Sequence, residues 1–364
     1  MIAGVVVGIW LCSACSTPGS VLPVVKIGLV APFEGPQRAM AYDALFATKL
    51  ALSRFNEQQR NAGGPLVELV ALNDDGQAIR SRQVAQEMAV DPAIVGVIGP
   101  WSAEAAAAAA KTYREANLPV VYPGLGLGQL DTTGEPTYLN VCATDAEVGA
   151  KAAEYVAQQG PSQRIVVVAP DGASGNQRAV TFVETLDRLG VPIVASVTFR
   201  VGLIEIAKSV QTLNPDVIFF SGQADEIIGT VTVLGEAGVN ALCLVGPELD
   251  RIDLMRVAGP ATATMVVVAL APSWRDLGEN HAFVATFLAT ANKPPGTQAI
   301  LAYDAANVLL ETIAEVSVDS RPTRENILAR LQSADGFPGL TGDLRFDVYG
   351  NRVAAPLWIR ALDF

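Results

Sequence analysis

From Val24 onward the chain alternates two kinds of apolar spacing. Short runs such as VVKIGLVAP, LVELVALND, AIVGVIGP and LPVVYPG read as strands, each closed by Pro, Gly or Asp. Between them lie segments whose apolar residues recur at helical spacing: Met40–Asn56, with Leu45, Phe46, Leu50, Leu52 and Phe55, then Ile79–Val90 and Ser102–Ala116. The pattern restarts after Cys142. It predicts helices over Glu147–Gln159, Asn176–Leu189, Ile204–Leu213 and Ala224–Ala237, with RIVVVAPDG, VPIVASVTF, DVIFFSGQ, ALCLVGPE and TMVVVALAP as strands. Helices near Glu279–Asn292, Thr297–Val316 and Thr323–Gln332 come next. Two last strands, GLTGDLRFDVYGN and APLWIRAL, are expected around the turn Tyr349-Gly350-Asn351. Repeated strand–loop–helix units mean parallel strands with right-handed crossovers. The expected fold class is α/β, with two doubly wound parallel-sheet lobes.

Composition then removes whole classes of function. The formal net charge is −12 and no basic stripe exists to neutralise phosphates, so nucleic acid is not an expected partner. Ile2–Leu11 is an uncharged apolar run, too short for a spanning helix of about 20 residues, and it fits the core of a signal peptide. Ser13 and Ala14 before Cys15 resemble a bacterial lipobox, with Cys15 as the lipidated residue. Cys12 and Cys15 also read as a C-x-x-C pair, but no second pair or histidine cluster completes a metal or redox site. Cys142 and Cys243 remain, either as a disulfide or as two buried thiols.

Open parallel sheets bind ligands at the carboxyl ends of their strands. This chain places Phe33-Glu34-Gly35, Asp74-Asp75, Gly99-Pro100-Trp101-Ser102 and the Gly124–Gly128 run there in its first half. In its second half the loops are Asp171–Gly175, Ser221-Gly222-Gln223 and Gly246-Pro247-Glu248. Glu248 stands at the mouth of a buried strand, where an unpaired carboxylate costs several kcal/mol. It must be solvated, paired within the chain, or open to a cation from outside. An internal pairing with Arg251 or a nearby lysine would leave it as a helix cap. Neither a nucleophile–base pair nor a phosphate loop is present, and His281, the one histidine, falls in a polar stretch. No enzyme, cofactor or metal is expected.

The landmarks IGLVAPFEGP, GGPLVELVALNDDG, VIGPWS, LPVVYPG, PDVIFFSG, LVGPE, AYDAANVL and LTGDLRFDVYGN occur in one order from Val24 to Phe364. In that order and spacing the chain resembles the type I periplasmic binding proteins, in the leucine/isoleucine/valine-binding branch. The resemblance implies two lobes joined by a three-crossing hinge, a small polar ligand such as an amino acid closed between them, and an ABC permease as partner. It implies that Glu248 holds the ligand's ammonium group and that Ser102, in the GPWS turn, grips its carboxylate. Gly124, Leu125 and Gly126 match a second carboxylate-binding segment through their backbone. Ser174 stands where the family often has a tyrosine over the ligand, and Gln223 where another aromatic or polar group lies. Ala103, Gly124 and Ser174 depart from the residues usual in amino-acid binders. Trp101 reads either as cleft wall or as core, and Asp145 as a helix N-cap opening the second lobe. Residues 1–23 are expected as signal peptide and tether, 24–142 with 271–341 as one lobe, and 143–270 with 342–364 as the other. The expected location is exported and membrane-anchored through Cys15. A receptor of this fold that feeds a signalling partner, or a lipoprotein that serves cell-wall machinery without binding solute, fits the same pattern.

Overall fold

The computed structural model describes residues 22–126, 137–160, 163–170, 176–250 and 265–362. The first sheet holds β1 (Val24–Ala31), β2 (Leu66–Asn73), β3 (Ile94–Ile98), β4 (Val120–Tyr122) and β5 (Tyr138–Asn140) in the order β2-β1-β3-β4-β5. Every pairing in it is parallel. All five residues of β3 are buried, as expected of a central strand covered by helices on both faces. On one face lie α1 (Arg38–Ala62) and the long α10 (Thr297–Asp319), packed on each other. On the other lie α2 (Ala78–Val90) and the alanine-rich α3 (Ala103–Glu115), whose small side chains let the two helices sit close.

The second sheet holds β6 (Ile165–Ala169), β7 (Ile193–Thr198), β8 (Val217–Phe220), β9 (Leu242–Val245), β10 (Met265–Ala269) and β11 (Trp358–Ala361). Its order is β11-β10-β9-β8-β6-β7, parallel except for β11, which runs antiparallel to β10 along the edge. Helices α4 (Asp145–Gln158) and α5 (Gln177–Arg188) cover one face, where Phe182 stacks on Phe219 with centroids 3.9 Å apart. Helices α6 (Leu203–Leu213) and α7 (Ala224–Glu236) cover the other. Three shorter helices, α8 (Trp274–Leu277), α9 (Ala282–Ala291) and α11 (Arg324–Ser333), flank α10 in sequence.

The chain leaves the first sheet after β5, returns to it after β10 with α8–α11, and crosses again to supply β11. These crossings are tied together. Asp304 of α10 is fully buried and accepts from the N–H groups of Leu340 and Thr341 at 2.7 and 3.0 Å and from the Thr341 hydroxyl at 2.6 Å. Arg352 then donates to that hydroxyl at 2.8 Å and to the carbonyl of Val141 at 2.9 Å. At the remaining crossing Arg360 donates to the carbonyl of Ala271 at 3.3 Å and pairs with Asp250, which accepts from the Thr297 hydroxyl at 2.5 Å. The molecule is thus an α/β protein of two lobes on a three-strand hinge.

Three local readings are corrected. The three-residue β5 was not anticipated, because so short a strand carries no periodicity of its own. Neither was α8, a single turn closed by a Ser273–Asp276 capping box. The first of the two late strands is no strand. Residues 343–352 form a turn held by the Asp347 carboxylate, which accepts from the N–H groups of Tyr349 and Asn351, with single bridges Phe337–Leu344 and Phe346–Arg352 beside it. Cys142 and Cys243 are both buried free thiols, and burial pushes each up to about 12. Among the described residues no helix is long and apolar enough to cross a membrane. Cys15 and the expected tether lie outside the described residues.

Candidate functional site

Glu248 sits in a 3-10 turn, Pro247–Leu249, directly after β9. Its Oε2 accepts from Arg178 Nη1 at 2.6 Å, and the Glu248 side chain keeps 18% of its exposure. Arg178 in turn donates from Nη2 and Nε to Asp145 Oδ1 at 2.8 and 3.2 Å. Its side chain is only 10% exposed. Burial opposes the charge of the guanidinium, but Glu248 and Asp145 outweigh it and hold Arg178 above its ordinary arginine range. The opening alternatives for Glu248 therefore narrow: it is paired within the chain, with Arg178. Arg251 lies outside the described residues.

Two close approaches build this arrangement. Gly149 on α4 lets α5 lie against it, since a Cβ there would stand 2.2 Å from the Arg178 carbonyl oxygen. Gly246 leaves room for the guanidinium itself, since a Cβ there would stand 1.9 Å from Arg178 Nη1. Asn176 caps α5 by accepting from the Ala179 N–H at 3.2 Å, and it is held by the Ser221 hydroxyl at 2.6 Å. Asp145 is not the N-cap of α4. Thr144 takes that place in a capping box with Glu147, which frees the Asp145 carboxylate, one residue on, for Arg178.

The first-lobe wall starts at Gly99-Pro100, a cis peptide, and Trp101. Trp101 is half-buried and donates from Nε1 to Gln298 at 2.9 Å. Ser102 caps α3, its hydroxyl accepting from the Ala105 N–H at 3.2 Å. The other first-turn N–H groups of a helix have no intrahelical partner, so α3 offers an anion a positive end. Tyr122 donates its hydroxyl to the Leu125 carbonyl at 2.7 Å, which fixes the Gly124–Gly126 segment. A Cβ at Gly124 would stand 3.0 Å from the Trp101 carbonyl oxygen. One at Gly126 would stand 2.9 Å from Ala103 Cβ and 3.7 Å from Asp145 Oδ2.

The Gly124–Gly126 segment thus lies beside Trp101 and Ala103 and faces Asp145, which Arg178 ties to Glu248. Gln223 does not join them among the described residues. It is exposed and begins α7, its N–H on the Glu226 carboxylate at 3.0 Å. Ser174 lies outside the described residues. Arg178 was missed from sequence, although it carried a signal: a cation in the first turn of a helix opposes the helix dipole and needs acidic partners. One further feature matters chemically. The second carboxylate oxygen of Glu248, Oε1, is buried and has no hydrogen-bond partner among the described residues. A shallow groove of about 380 Å3 on the first lobe, between α1, α9 and α10, includes Phe55, Phe283 and Tyr303 and none of these residues. Among the described residues no group of His, Cys, Asp and Glu is arranged to hold a metal ion.

Comparison with known proteins agrees with this architecture. A Leu/Ile/Val-binding protein of Rhizobium johnstonii, BraC3, is 24% identical over 332 residues, covering 90% of this chain and 88% of its own. The structure of the branched-chain amino acid transporter substrate binding protein LivJ from Streptococcus pneumoniae, in complex with isoleucine, superposes with a TM-score of 0.80. It is 21% identical and is matched over 93% of this chain and 96% of its own. An ABC transporter solute binding protein of R. palustris, in complex with 4-hydroxybenzoate, gives a TM-score of 0.78 at 18% identity, over 94% and 93% of the two chains. The family model described as periplasmic binding protein matches residues 24–363, and the chain belongs to that family, on the type I, leucine/isoleucine/valine-binding-protein-like side.

Proposed function

We propose that the protein is the extracytoplasmic solute-binding receptor of an ABC importer, and that its ligand is an amino acid bound as a zwitterion between the lobes. The observation that carries this reading is the buried Glu248 Oε1, which has no hydrogen-bond partner among the described residues. One guanidinium between two carboxylates leaves the second-lobe wall with a net negative charge and, at Glu248 Oε1, a buried acceptor unpartnered among the described residues. An ammonium group at Oε1 satisfies both, while the ligand carboxylate meets the Ser102 hydroxyl, the α3 terminus and the Gly124–Gly126 backbone. A ligand held by both walls binds the closed form better than the open one, which couples recognition to closure. On this reading the lobes divide as 24–142 with 271–341 and 143–270 with 342–364, and export and a lipid at Cys15 keep the receptor at the membrane beside its permease.

Calorimetry with Glu248→Gln tests the reading. Losing one partner of a desolvated charge pair costs about 2–5 kcal/mol, so affinity for an amino acid is expected to fall roughly thirtyfold or more. Unchanged affinity would remove Glu248 from the site. A second reading, a carboxylate without an amine, draws on Arg178 already holding Glu248 and on the R. palustris relative in complex with 4-hydroxybenzoate. Under it the wild type binds benzoates and no amino acid.

A further inference from the structure

We propose that Arg178 sets the charge class of the ligand: by spanning Asp145 and Glu248 it reduces a wall of two carboxylates to one net negative charge, which selects a ligand with a single cationic group over one with two. The inference rests on the amino-acid reading above and names what that reading leaves open, the kind of side chain the site accepts.

The placement of Arg178 is costly in three ways. The residue is 9% exposed, so its charge is largely desolvated. It stands in the first turn of α5, the end of a helix that disfavours cations. It also requires glycine at position 246. A helix start covering this wall could be built from apolar residues at none of these costs. What the guanidinium alone provides is a fork that holds two acids at once, Nη1 on Glu248 and Nη2 with Nε on Asp145. The fork occupies one oxygen of each acid. Glu248 Oε1 remains without a partner among the described residues, and Asp145 Oδ2 turns toward Gly126 of the other lobe. The site so trimmed matches one ammonium. A ligand with a second cation, such as lysine, meets the guanidinium's positive charge on this wall in place of a second uncompensated carboxylate.

Two variants test this. A thermal-shift screen of the twenty amino acids on the wild-type protein first identifies the neutral amino acid it binds. If none binds, the amino-acid reading itself fails, and that failure is distinct from failure of this inference. Titrations with that amino acid and with lysine then follow. Arg178→Met, with two uncompensated acids, is expected to raise the affinity for lysine relative to the neutral amino acid about tenfold or more, given the strength of a charge a few ångströms away in a partly buried site. Asp145→Asn is isosteric and keeps an oxygen that can accept from Arg178, so it changes the charge of the wall with little change of shape. Its wall carries no net charge, and affinity for the neutral amino acid is expected to fall about tenfold. A lysine ratio unmoved in folded Arg178→Met, or an amino-acid affinity unmoved in Asp145→Asn, overturns the proposal.

Discussion

Gly246 decides whether Arg178 can lie between its two acids. Any side chain there enters the volume of the guanidinium, whose Nη1 would stand 1.9 Å from the new Cβ. Gly246→Ala is therefore expected to displace Arg178 and to lower stability by about 1–3 kcal/mol, the usual cost of overpacking. Urea unfolding measures that cost, and an unchanged midpoint would mean the turn after β9 simply shifts. The same residues mark how far single positions were legible. Glu248 stood out because a carboxylate directly after an apolar strand and Gly-Pro needs a partner. Its partner did not, because Arg178 lies 70 positions earlier and no local rule connects a helix start with a distant turn. Asp145 was read as a cap because acids favour helix starts, but Thr144 beside it makes the better capping box and took the role.

Helix α3 has a place in the fold and, on the proposed reading, in the ligand site as well. Its alanines pack it against α2, and Ser102 caps its N-terminus. Ser102→Ala is expected to cost about 1 kcal/mol through loss of the cap, whereas Ser102→Asn keeps the cap. Unfolding curves of both variants, compared with their amino-acid affinities, separate the cap from the ligand contact. Affinity lost in Ser102→Asn while stability holds assigns the hydroxyl to the ligand. Elements of this kind were largely readable, since apolar periodicity and Gly, Pro or Asp stops marked both the helices and the buried strands. The periodicity failed where tertiary pairing made the structure. β5 gains its three residues of ladder from β4, and the segment around Asp347 is shaped by one carboxylate rather than by alternation.

On the scale of the whole molecule, the expected anchor is a separate matter from the cleft. If Cys15 carries the lipid, Cys15→Ser is expected to move the protein from the membrane fraction to the soluble one, because each buried methylene contributes about 0.8 kcal/mol and two or more chains hold stably. Unaltered partition of the variant rules the anchor out. The two-sheet architecture was legible from the restart of the strand–helix pattern, but not the bonds that weld its crossings, since Asp304, Thr341, Arg352 and Val141 meet only in space. The edge strand β11 has a consequence for synthesis. Until it is made, β10 is the rim of its sheet, with unpaired N–H and C=O groups. About 90 residues separate the two strands, so a ribosome adding roughly 5–20 residues per second leaves that rim open for several seconds. Helix α10, which covers the first sheet, is also made within that interval. Each sheet therefore waits for a segment made long after its own inner strands: the first for α10, which ends at Asp319, and the second for β11.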